Sequence, residues 1–233
     1  MKISRRALLG SLAIASPYFV RGTALAAGYI PDSANAALLG SIAESFSRAT
    51  IITQKFVHQP RFLGTLPEVG GHQILAFDSA LELDTDGWQG DRGDPDWQPN
   101  TSLRYSDSSS LDANRISYFV LPLPASWPKQ LGVSLGDYAA VLFKGRLAFA
   151  VFGDQGPRNK LGEGSLQLLR ELGEERLRPN GSVINAGTNP GVLTLVFPGS
   201  GATEDRSNEA ALLRAIEEKG KRLFVAAGGR LNG

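Results

Sequence analysis

The chain has 233 residues, 42% of them hydrophobic, enough for one domain with a substantial core. It contains no cysteine and two histidines, His58 and His72, in no metal-ligand spacing. This excludes disulfides, cysteine-ligated zinc and thiol catalysis, and argues against a histidine triad.

The formal charge is +1, but residues 1–27 carry four basic side chains (Lys2, Arg5, Arg6, Arg21) and no acid, so the remainder carries −3. A mildly acidic body is a poor nucleic-acid binder and suits a cationic substrate. The basic start, the apolar run 8–20 and the small residues 23–27 have the layout of a cleaved export signal. Ser4-Arg5-Arg6-Ala7-Leu8-Leu9 resembles the twin-arginine signal motif. The apolar run is short for a membrane span. We therefore expect a signal at 1–27, one catalytic domain at 28–233, no membrane contact after cleavage, and a secreted or periplasmic monomer. An uncleaved anchor or a Sec-type signal is the alternative.

Along the body, Leu38, Leu39, Ile42 and Phe46 repeat at helical spacing within residues 32–46. Pro60 and Pro67 suggest a loop over 50–70. Strands are expected within 71–83, at 116–122 and at 192–197, with a long polar loop over 84–101. Residues 207–227 form an amphipathic pattern, with Ser207 as a possible cap and Gly220 as an end or kink. The many glycines (27) and prolines (13) favour a turn-rich β body.

Residues 136–173 organise the chain. Ala139, Val141 and Phe143 alternate as in a half-buried strand, Lys144-Gly145 forms a tight turn, and Leu147, Phe149 and Val151 continue on the return strand. Asp154 follows the apolar run, and Gln155-Gly156-Pro157 should end regular pairing. Nine residues on comes Glu163, then Ser165 as a helix cap, a stripe of Leu166, Leu169 and Leu172, and Gly173 as a stop. Two acids thus flank one loop. They suit general acid–base chemistry; equally, Asp154 can cap a turn and Glu163 can favour the helix N-terminus. Arg158 and Lys160 of the same loop either keep Asp154 ionised or point into solvent.

A second acidic region comprises Glu82, Asp84, Asp86, Asp91, Asp94 and Asp96. Asp84-Thr85-Asp86-Gly87 begins like a calcium loop, but the twelfth position is Pro95 where a glutamate is required. A solvated acidic loop and a cleft wall for a positively charged polymer remain the other readings. Trp88 and Trp97 are either stacking platforms for sugars or packing residues.

The segments LDTDG, GDPDW, TSL, LDAN, SYFVLP, LGDYAAVLF and FGDQGP…LGEGS occur in that order. Together they resemble the family 75 glycoside hydrolases, the fungal-type chitosanases, in their bacterial form. The resemblance covers roughly residues 70–200 and is most specific around Asp154 and Glu163. It implies an inverting endo-hydrolase of chitosan with Asp154 and Glu163 as the essential acids, Glu163 as acid and Asp154 as base. It further implies substrate contacts from Asp84, Asp86, Trp88, Asp91, Asp94 and Trp97, and no cofactor or metal. Fungal members often carry a cysteine where Thr85 stands here, and an alanine where Gly164 stands.

The strand–GDQGP–loop–helix segment is also similar to the double-psi pattern of rare lipoprotein A and expansin-like proteins. The expected fold is therefore all-β or α+β, a six-stranded double-psi β-barrel-like domain with peripheral helices. That likeness supplies two rival activities, a peptidoglycan-active lytic enzyme and a non-hydrolytic carbohydrate-binding or wall-loosening protein. Fold alone does not choose among them.

Overall fold

The structure is a computed structural model that describes residues 29–90, 92–123, 126–202 and 205–231. The expected export signal and Asp91 lie outside the described residues.

In chain order the elements are helices α1 (Ser33–Leu39) and α2 (Ile42–Ser45), a 3₁₀ turn (Phe46–Arg48), then strands β1 (Thr50–Ile51), β2 (Phe62–Val69), β3 (His72–Ser79), β4 (Glu82–Asp84) and β5 (Tyr118–Pro122). Helix α3 (Ser126–Gln130) precedes β6 (Tyr138–Phe143), β7 (Arg146–Gly156) and β8 (Glu163–Ser165). Helix α4 (Leu166–Glu171), β9 (Val192–Phe197) and helix α5 (Glu209–Ala226) complete the fold. The strands form one mixed sheet in the order β1-β2-β3-β9-β6-β7-β5-β8-β4. Among the described residues this is an α+β architecture with nine strands, where six were expected.

Strands β1 and β2 occupy the region read as loop. Pro67 falls where the β2–β3 register shifts between Leu66 and Val69, so the proline that argued against a strand sits at its irregularity. Every residue of β6 and β9 is buried, which corrects the half-buried reading of β6. Helix α5 packs on β6 and β7, and helix α1 on β6.

Lys144 and Gly145, with φ of 49° and 77°, make the hairpin turn between β6 and β7. Two consecutive positive φ values match the twist of the flanking strands. Strand β7 does not stop before Asp154; it runs on to Gly156 by pairing in parallel with β5.

Helix α5 is capped by Asn208, whose side-chain oxygen accepts from Ala211 N at 2.9 Å, rather than by Ser207. It passes through Gly220 without ending. A Cβ there would stand 2.7 Å from the Phe149 Cβ, so the glycine permits close approach to the sheet.

Candidate active site

The expected acids are placed by strand register. In the β5–β7 pair the register jumps from Phe119↔Phe152 to Val120↔Asp154, leaving Gly153 as a bulge. A Cβ at Gly153 would lie 2.5 Å from the Tyr118 Cβ, so only glycine fits the bulge. On the other edge of β5, Val120 pairs with Glu163, and Glu163 pairs in turn with Glu82 of β4. Four neighbouring strands therefore carry Glu82, Glu163, Val120 and Asp154 in one row.

Asp154 and Gly156 share a face of β7, because side chains alternate along a strand. The Glu163 Oε2 lies 2.6 Å from where a Gly156 Cβ would be. Glycine at 156 thus makes room for the Glu163 carboxylate over the strand that carries Asp154.

A cleft of about 680 Å³ opens here, with Glu82, Asp84, Asp86, Asp94, Asp96 and Glu163 on its walls against Arg158 and Lys160. Among the described lining residues, six acids face two cations, so the cleft favours positive ligands.

Glu163 is 9% exposed, and its Oε1 lies 2.6 Å from Lys160 Nζ. The same ammonium reaches Glu82 Oε2 at 3.0 Å. Burial pushes the Glu163 pKa up, and the Lys160 hydrogen bond offsets part of that rise. For Lys160, burial works against the charge but the two glutamates outweigh it, and its pKa is raised. Lys160 therefore pairs with Glu163 and Glu82, not with Asp154.

Asp154 is 4% exposed. Its Oδ1 accepts from Ser102 N at 2.9 Å, Ser102 Oγ at 2.5 Å and Gln155 N at 2.7 Å. Its Oδ2 is buried with no donor. Asp154 does not reach the cleft wall; Asp86 does.

Asp84, Asp86 and Asp154 each present a carboxylate oxygen, all within 4.8 Å of one another. Asp84 Oδ1 accepts from Tyr118 Oη at 2.9 Å and from Asp86 N at 2.8 Å. Asp86 Oδ1 accepts from Gln98 N at 2.6 Å. Burial, then the nearby Asp154 charge, pushes the Asp84 carboxyl up to about 7. Burial and the Asp84 charge push Asp86 up to about 8. Such an oxygen set is also the chemistry a hard divalent cation takes, and these three are the residues that would hold one.

Of the remaining expected site residues, Asp94 shares the cleft and the two tryptophans lie outside it. Asp94 is buried, with Oδ2 accepting from Thr85 Oγ1 at 2.6 Å. Trp88 is 9% exposed and packed in the core, with the Arg92 guanidinium 5.1 Å from its ring centroid. Trp97 donates from Nε1 to Trp88 O at 2.8 Å. Neither tryptophan lines the cleft.

The pattern-based reading gave no role to Ser102 or Tyr118, and read Glu82 only as one acid of the second acidic region. For Ser102 the signal was the TSL segment. For Glu82 it was two-residue alternation with Asp84 along one strand, which places both on one face.

The described residues contain no helix long and apolar enough to cross a membrane. No curated protein matches the chain. The family described as fungal chitosanase of glycosyl hydrolase group 75 matches residues 81–226, from just before β4 to the end of α5. The match spans more than half of the chain and includes Asp154, Glu163 and every acid of the cleft. The protein belongs to glycosyl hydrolase group 75, the fungal chitosanase family, and is a glycoside hydrolase.

Proposed function

We propose that this protein is an exported endo-chitosanase. It hydrolyses the β-1,4 bonds of chitosan with inversion, with Glu163 as the acid and Asp154 as the base. The observation that carries this reading is the shared register row, in which Asp154 and Glu163 both pair with Val120 from opposite edges of β5. Two inter-strand steps separate their backbones by roughly 9–10 Å. An inverting pair needs its carboxyls about 6.5–9.5 Å apart to admit a water.

The roles follow from the surroundings. Desolvation favours the protonated form of Glu163, as an acid requires. Three donors on one oxygen hold the Asp154 carboxyl in a fixed orientation. Chitosan's ammonium groups suit the acidic walls, with Asp84, Asp86 and Asp94 as contacts. The twin-arginine-type start supports export as a folded monomer. The parallel pairs β5–β7 and β4–β8, joined through the GDQGP loop, support a double-psi-like core.

The test is release of reducing ends from chitosan by Asp154→Asn and Glu163→Gln, with folding checked by circular dichroism. Each should lower the rate about a thousandfold or more, the upper part of the range for losing an acid or base. Activity near that of the unmodified protein in either variant removes that carboxylate from the mechanism. Clearing of purified sacculi in place of chitosan would favour the peptidoglycan-active alternative.

A further inference from the structure

The two carboxyl oxygens of Glu163 have different surroundings. Oε1 lies 2.6 Å from Lys160 Nζ. Oε2 lies over strand β7, 2.6 Å from where a Gly156 Cβ would be. An ammonium donates and never accepts, so Oε1 is an acceptor and the proton of the acid form sits on Oε2. Whatever holds Lys160 in place therefore decides which oxygen carries that proton and how the carboxyl is turned.

The backbone around Lys160 is tied down. Its N–H donates to Pro157 O at 3.1 Å, and the neighbouring Asn159 O accepts from Val57 N at 2.7 Å. Val57 lies outside the family-matched span 81–226, so a segment before that span supports the loop. The four-carbon stem of a lysine is flexible, and its ammonium has three rotatable donors. Here the far end is fixed by Glu82, whose Oε2 lies 3.0 Å from Nζ. Glu82 is set in turn by the sheet: it pairs with Glu163 across β4 and β8, and its N–H donates to Gly162 O at 2.7 Å. The other Glu82 oxygen, Oε1, faces the exposed His58 Nε2 at 3.8 Å. Among the described residues, Glu82 and Glu163 are the two acids paired with Lys160.

We propose that Glu82 is a positioning residue for the acid of this enzyme: it holds Lys160 against Glu163 Oε1 and so keeps Oε2 as the oxygen that gives up its proton. The proposal rests on the chitosanase reading and deepens it. In the step, the Oε2–H bond breaks and the proton passes to the leaving glycosidic oxygen, which keeps the electron pair of its bond to the anomeric carbon. The attacking water bonds to that carbon and its proton passes to Asp154. Glu82 acts through Lys160 and exchanges no proton in this step. Without Glu82, the ammonium has solvent as the alternative to Glu163, and the Glu163 carboxyl loses its fixed orientation.

The test is a double-mutant cycle on the full chain with Glu82→Ala, Lys160→Met and both together, each assayed on a chitosan oligomer at its own pH optimum. Glu82→Ala should lower kcat about tenfold, the lower part of what a hydrogen bond between charged groups contributes, with KM changed less than about threefold. Glu82→Gln keeps an oxygen acceptor for Lys160 and should recover part of that loss. The double variant should have a kcat within about twofold of Lys160→Met alone, because residues acting as one unit do not add. Without substrate, the shifts in thermal midpoint of the two single variants should not sum to that of the double variant.

A kcat for Glu82→Ala within about twofold of the unmodified value would overturn the proposal. So would losses in kcat that multiply in the double variant. So would a raised KM with kcat unchanged, which would make Glu82 a contact for the substrate's ammonium groups instead. An unmodified chain that leaves chitosan intact would remove the chitosanase reading and the catalytic role with it. The substrate-free midpoints separate that outcome from a failure of the Glu82–Lys160 linkage, which summing shifts would show.

Discussion

Glu163 and Asp154 pair with the same residue, Val120, from opposite edges of β5, yet their surroundings differ in kind. Glu163 stands on the cleft wall beside an ammonium, with Lys160 bridging it to Glu82. Asp154 stands behind the wall among carboxyls and neutral donors, with Asp84 and Asp86 on one side and Ser102 on the other. The difference separates the two carboxyls: one lines the cleft beside an ammonium, and the other is held behind its wall by three donors.

This contrast can be broken first on the Asp154 side. Ser102→Ala removes the hydroxyl at 2.5 Å and leaves the backbone donor at 2.9 Å. The expected result is a kcat about ten- to a hundredfold lower with KM little changed. A hydrogen bond to a charged group contributes about 1.5–3 kcal/mol, which corresponds to that range. Steady-state kinetics on a chitosan oligomer measure it, and an unchanged kcat would show that Ser102 does not orient the carboxylate.

On the Glu163 side, Lys160→Met removes a cation that lowers the Glu163 pKa. Glu163 should then keep its proton to higher pH, so the alkaline limb of kcat/KM should move upward. A limb that stays in place, or moves down, would mean that another group sets it.

The smallest effect is on stability. Asp84 titrates at about 7 in the folded protein, above the ordinary aspartate value. The folded state therefore binds more protons than the unfolded one between about pH 4 and 7, and stability falls as pH rises through that window. Asp84→Asn keeps the acceptor for Tyr118 and Asp86 N and abolishes the titration. Its thermal midpoint should exceed that of the unmodified protein by a few degrees at pH 8 and differ little at pH 4. For a protein of this size about 1 kcal/mol corresponds to roughly 2–4 °C. Scanning calorimetry at the two pH values checks it.

Local pattern carried much of the fold. The hairpin turn at Lys144-Gly145, the Ser165 cap accepting from Leu168 N at 3.1 Å, and strand β9 at 192–197 were readable, because each depends on residues a few positions apart. Strands β1 and β2 were not, because β2 is defined by its pairing with β3 and β1 by its pairing with β2, and Pro67 masks the alternation. The continuation of β7 past Asp154 was hidden for the same reason, since Gly156 stays in the strand by pairing with Pro122. The tryptophans offered only residue type, and burial decided that Trp88 packs rather than stacks on a ligand in the cleft.

At the site, sequence alone determined which acids are present, that Asp154 and Glu163 flank one loop, and that the ordered motifs belong to one hydrolase family. Tertiary structure alone decided which acid faces solvent, which is shielded, and which neighbours hold each in its charge state. Asp86 meets Asp154 across 68 residues of chain and Ser102 meets it across 52. The charge state of a carboxyl depends on burial and on groups within a few ångströms, and such proximity is created by folding, not by spacing along the chain.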